Sequence, residues 1–89
     1  PQPTHLDFID LTHKIIGLFA EIAAIKKVEV AVVGQQHVWV YADFDMLMVV
    51  IRNLLSNAIK FSWESGRVEI AANERATDWE ISVKDEGLG

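Results

Sequence analysis

Three residues in the stretch "NLLSNAIKF" could do chemistry together: Asn53, Asn57 and Lys60, at successive spacings of four and three. On a helix those spacings bring side chains to one flank. Asparagine is a mediocre helix former, because its amide competes for nearby backbone groups, so two of them one turn apart call for a reason. An amide oxygen is a neutral, hard ligand that suits Mg²⁺, an ion commonly held by few protein groups together with water and substrate phosphates. A lysine one turn on supplies a point charge for phosphate. The competing reading is a solvated helix face, since polar faces are the rule for amphipathic helices.

A second constellation is Asp85-x-Gly87-x-Gly89 in "VKDEGLG". An ionised carboxylate only accepts, so Asp85 suits a ligand that presents N–H groups. Glycines two apart let the backbone approach a flat ligand and turn without a Cβ clash. By itself the pattern is also that of an ordinary strand-ending turn.

The elements that must position these groups follow from periodicity. Asp43 is suited to cap a helix from 44 to about 61, whose apolar positions Leu47, Ile51, Leu54, Leu55, Ala58 and Phe61 predict the buried side. "RVEIAAN" and "WEISVKD" alternate as strands joined by a polar turn around "ERATD", and the second ends on Asp85. Upstream, "HLDFID" reads as a short strand with Asp10 as a helix cap. An amphipathic helix then follows on Leu11, Ile15, Leu18, Ile22 and Ile25, ending near Lys26 and Lys27. "VEVAVV" at 28–33 and "VWVYA" at 38–42, separated by the turn "GQQH", predict a hairpin. Residues 1–4, "PQPT", read as a linker remnant, which leaves 5–89 as one domain. Strands gathered as antiparallel hairpins, with two helices for one face, define an α+β fold, a two-layer α/β sandwich.

Bulk properties exclude several classes. A net charge of −5 argues against a general nucleic-acid binder, and 51% hydrophobic residues make the chain globular. Without cysteine there is no disulfide or thiolate metal site, as expected of a cytoplasmic protein. The longest fully apolar run, "MLMVVI" at 46–51, is far short of the ~20 residues of a membrane span, so no direct membrane insertion is expected of this segment. His5, His13 and His37 offer no zinc spacing, and the three tryptophans read as core or hairpin-face residues.

Together, "ADFDML", "NLLSNAIKFS" and "DEGLG" resemble the N box region and first glycine box of sensor histidine kinase ATP-binding domains. The wider superfamily is that of gyrase, Hsp90, MutL and the histidine kinases. The resemblance runs from His5 onward and implies a Bergerat-type ATP-binding fold with ATP and Mg²⁺ as ligands. It implies that Asn57 holds Mg²⁺ through its amide oxygen, and that Asn53 faces the phosphates and their metal shell. Lys60 would lie near the phosphates, and Asp85 would accept from the adenine amino group. Gly87 and Gly89 would shape the wall beside the base. ATP-hydrolysing members place a glutamate at the position of Asn53 as general base for water, a role asparagine cannot fill. The resemblance therefore implies phosphoryl transfer to a histidine on a separate dimerisation domain, and from there to a response regulator. The rivals are an ATPase or serine kinase of the same superfamily, and a nucleotide-free interaction or dimerisation module that keeps the fold.

The pattern also departs from the family. A complete domain continues past the first glycine box with an ATP lid, a second glycine-rich segment and further elements. The 89 residues do not include these, so the expectation is a fold truncated before the lid, inactive and with ATP binding weak or absent by itself. An unpaired "WEISVKD" edge would then favour self-association. His13, in "LTHKII", lacks the acidic residue of a kinase H box, which puts the phosphoacceptor outside this chain. Met46 and Val49 stand where members usually carry polar residues. Packing against a neighbouring helix is the plainer expectation, and a docking surface the alternative.

Overall fold

Asp43 caps the longest helix, as its position predicts. In the computed structural model, which describes residues 2–34, 36–74 and 79–85, Asp43 Oδ1 accepts from the Met46 N–H at 3.0 Å. This helix is α3, the third in chain order (Phe44–Phe61). It buries Leu47, Ile51, Leu55, Ala58 and Ile59, while Leu54 is half-buried. Phe61, expected inside, is exposed, because the 3.6-residue period turns Ile59 inward in its place.

Under α3 run β4 (Arg67–Glu74) and β5 (Trp79–Asp85), paired antiparallel with Val68 opposite Asp85 and Ile70 opposite Val83. Val68 and Ile70 are fully buried, and Ile81 and Val83 are half-buried against the same core. These two strands follow the alternation of the sequence.

The N-terminal half departs from expectation in four ways. Strand β1 (Pro3–Asp7) takes in Pro3 and Thr4, and the cap of α1 (Phe8–Leu18) is Asp7 rather than Asp10. Asp7 Oδ1 accepts from the Ile9 N–H at 3.1 Å and from the Val38 N–H at 3.2 Å. One carboxylate thus starts the helix and anchors the approach to the strand at Trp39–Asp43, whereas Asp10 sits in the first turn and pairs with Lys14 at 3.4 Å.

The helix expected to continue from 11 to 27 is broken at Phe19. There the N–H donates to the Ile16 carbonyl at 3.0 Å, a tightened turn two residues after Gly17. Helix α2 (Ala20–Lys26) follows and ends on Lys27 in the left-handed conformation, φ 61°. The break takes Leu18, Ile22 and Ile25 off the core line, and all three are exposed.

The expected hairpin of 28–33 with 38–42 does not form. Strand β2 (Glu29–Val32) runs parallel to β4, with Glu29 opposite Arg67 and Val32 opposite Ile70. Strand β3 (Trp39–Asp43) pairs antiparallel with β1, Leu6 opposite Val40. Alternation specifies which face of a strand is buried, not which strand it pairs with. A parallel pair requires a crossover, and α3 lies within it. The result is still an α+β two-layer arrangement, with helices on the three-stranded sheet β2–β4–β5 and a core of Phe8, Ile15, Ile51, Leu55, Val68 and Ile70. Trp39 and Trp63 are exposed, not core, and the outer position of Trp39 belongs to the β1–β3 ribbon, where the His5 and Tyr41 rings meet at a tilt with centres 4.9 Å apart.

Candidate nucleotide site

Helix α3 carries Asn53, Asn57 and Lys60 on its outward flank, all three exposed. Its inner side is fixed by the buried Ile51, Leu55 and Ala58, so the flank the asparagines occupy is set by packing and not by the asparagines themselves. Lys60 Nζ lies 5.4 Å from the centre of the Phe61 ring, within cation–π range. α3 packs against β5, whose last residue is Asp85, so the asparagine stripe and Asp85 belong to adjacent elements. Gly87 and Gly89 lie outside the described residues.

Among the described residues no group of three His, Cys, Asp or Glu could hold a metal ion. A divalent cation at α3 would therefore rest on an amide oxygen, water and ligand phosphates, which is how Mg²⁺ is commonly bound. An exposed Asn57 fits that donor set.

One residue of this region gives no motif in the sequence. Lys26, at the end of α2, extends Nζ to the Ile59 carbonyl at 2.8 Å and to the Lys60 carbonyl at 2.7 Å. The last carbonyls of a helix lack partners within it and carry the negative end of its dipole, so an ammonium there is doubly favoured. The Ser65 N–H donates to the Lys26 carbonyl at 3.1 Å, which ties the turn after α3 to the same residue. The only signal in the sequence is a lysine at a helix end; its partners are more than thirty residues away.

A second polar contact organises the opposite end. His37 Nδ1 lies 2.6 Å from Asp7 Oδ2. That bond, more than the Val38 and Ile9 N–H groups, holds the Asp7 carboxyl below its ordinary pKa, against burial that raises it. Asp43 is held low as well, first by the Met46 N–H and then by the Gln2 N–H. Met46 and Val49 are exposed, 63% and 54%, and so do not pack between helices as expected.

Residues 42–89 match the family of "Histidine kinase-, DNA gyrase B-, and HSP90-like ATPase". The matched segment contains α3 and β5 entire. The sensory kinase SasA of Prochlorococcus marinus (strain CCMP1986) is 43% identical over 51 residues, which are 56% of this chain and 14% of the relative. The sensor-like histidine kinase SenX3 of Mycobacterium tuberculosis (strain H37Rv) is 29% identical over the whole chain and 22% of its own length. WalK of Bacillus subtilis, a sensor histidine kinase, is 45% identical over 53 residues. In fold, the catalytic domain of the histidine kinase ThkA superposes with a TM-score of 0.87 at 24% identity, over 99% of this chain and 61% of that one.

The chain belongs to the histidine kinase-, DNA gyrase B- and HSP90-like ATPase family. Its named relatives are sensor histidine kinases, of which it spans between 9% and 24% of the length. No helix among the described residues is long and apolar enough to cross a membrane.

Proposed function

We propose that this chain is the nucleotide-binding part of a two-component sensor histidine kinase, with the outward flank of α3 as the phosphate side of its site. The observation that carries this reading is the exposure of Asn53, Asn57 and Lys60 on one flank of α3, the helix that packs against the strand ending in Asp85. Family membership over 42–89 supports it.

In this reading Asn57 offers its amide oxygen to Mg²⁺, Asn53 donates toward the phosphates and their metal shell, and Lys60 supplies positive charge. Asp85 accepts from the adenine amino group, with Gly87 and Gly89 beside the base. Bound Mg²⁺ would supply charge neutralisation on the phosphate oxygens. The residues of this chain bind and orient, which is most of what phosphoryl transfer asks of a protein. The Asn53 side chain cannot take a proton from water, so transfer of the γ-phosphoryl group to a histidine of another domain is favoured over hydrolysis. A response regulator would receive it next. The structure of ThkA in complex with the response regulator TrrA records such a partner for that kinase.

The test is phosphorylation within a longer protein that contains this chain and a histidine-bearing dimerisation domain. Labelled ATP should phosphorylate histidine, and Asn57→Ala or Asp85→Ala should lower the yield by a factor of about a hundred or more. Release of free phosphate without protein phosphorylation would overturn the kinase reading in favour of an ATPase.

A further inference from the structure

Two open cavities, of about 350 and 330 Å³, share Phe19 and Ser56 and so form one trough between α2 and α3. Its α3 wall is a ladder at helical spacing, from Val49 through Arg52 and Ser56 to Lys60. That run rises about 16 Å, roughly three turns of helix. Phe19, Ile22 and Lys26 form the facing wall. Ile22 and Val49 are exposed, 57% and 54%. The charge is one-sided: Lys26, Arg52 and Lys60 line the trough, and no carboxylate does among the described residues. This stands out in a chain of net charge −5.

We propose that this trough docks an amphipathic helix with acidic flanks, presented by a partner protein. Apolar side chains at i, i+4 and i+7 of such a helix would cover Phe19, Ile22 and Val49, and its carboxylates would meet Arg52 and Lys60. Lys26 is held on the α3 carbonyls and adds charge rather than reach. An extended segment finds less here, because both walls are helices whose backbone groups bond internally and offer no sheet edge. A second copy of the chain offers no acidic helix among its described residues: α1 carries Asp10 and Lys14, α2 Glu21 and Lys26, and α3 Asp45, Arg52 and Lys60. The trough adjoins the α3 flank assigned to nucleotide and shares Asn53 and Lys60 with it, so the test leaves those two residues intact.

The probe is a fluorescent synthetic helix of leucine and glutamate, with a counterpart in which lysine replaces every glutamate. Binding of the acidic probe should shift backbone amide resonances of 19–26 and 49–60. It should weaken by about tenfold in Arg52→Glu and in Ile22→Ser, and weaken with added salt. Both variants should keep the wild-type circular dichroism and, in a longer protein that contains this chain, the wild-type response to an ATP analogue, which separates this site from the nucleotide reading. Three outcomes would overturn the proposal: no binding, equal binding of the lysine counterpart, or binding unaffected by both variants. Self-association that protects these residues would overturn it too, by giving the trough to a second copy.

Discussion

Lys26 and Lys60 meet across two helices: the ammonium of the first donates to the backbone carbonyl of the second at 2.7 Å. The same nitrogen reaches the Ile59 carbonyl, so α2 closes the end of the helix that carries the candidate phosphate residues. Hydrogen bonds from a charged donor contribute about 1.5–3 kcal/mol when their loss leaves the acceptor unsatisfied. These carbonyls are near solvent, which lowers the figure. Lys26→Met should therefore cost about 1–2 kcal/mol in urea unfolding, and Lys26→Arg clearly less. Amide exchange of Ser62, whose N–H donates to the Ile59 carbonyl, should quicken in the methionine variant.

Asp7 gives the fold an acid-sensitive joint. Its carboxyl is held below the ordinary pKa, so its contribution is complete above the unfolded value and is lost as pH falls through the lower folded value. Asp43 titrates in the same direction. Asp7→Ala removes a helix cap and should cost about 1 kcal/mol at neutral pH. Below the folded pKa of Asp7, wild type and variant should converge in stability, which urea melts across the acid range would reveal. Divergence on acidification would contradict the sign of this linkage.

Thr12 is fully buried, and its Oγ1 has no hydrogen-bond partner among the described residues. A buried hydroxyl without a partner is a cost. Thr12→Val keeps the shape and removes the polar atom, so the variant should be as stable as wild type or more stable by about 1 kcal/mol. A loss of 1 kcal/mol or more would mean that the hydroxyl is satisfied.

Lys27 closes α2 at φ 61°, a conformation that costs a residue with a Cβ. Glycine is the common occupant of that position. Lys27→Gly should raise stability by about 0.5–1 kcal/mol, read as an increase in the urea midpoint at constant slope.

The C-terminal half was legible because its signals are local. Asp43 caps α3 three residues from the N–H it binds, and Val68 and Ile70 alternate onto the core as their spacing predicts. The first half depends on contacts distant in sequence. Asp7 outcompetes Asp10 as a cap through Val38, 31 residues away, and β2 finds β4 across the whole of α3. The turn at Phe19 changed which aliphatic residues are buried, since a break resets helical phase. At the candidate site the stripe of Asn53, Asn57 and Lys60 could be read from spacing, but the Lys26 contact could not, because it joins residues 33 and 34 apart.

Calorimetric titration of an unhydrolysable ATP analogue with Mg²⁺ tests the central claim most directly. It should be run on this chain and on a version extended through the segment that follows the first glycine box in its relatives. The account expects binding to the extended chain, weakened by about tenfold or more in Asn57→Ala and in Asp85→Ala, each folded like wild type. Binding to neither chain, or undiminished binding in both variants, would contradict it and leave the α3 flank without its nucleotide.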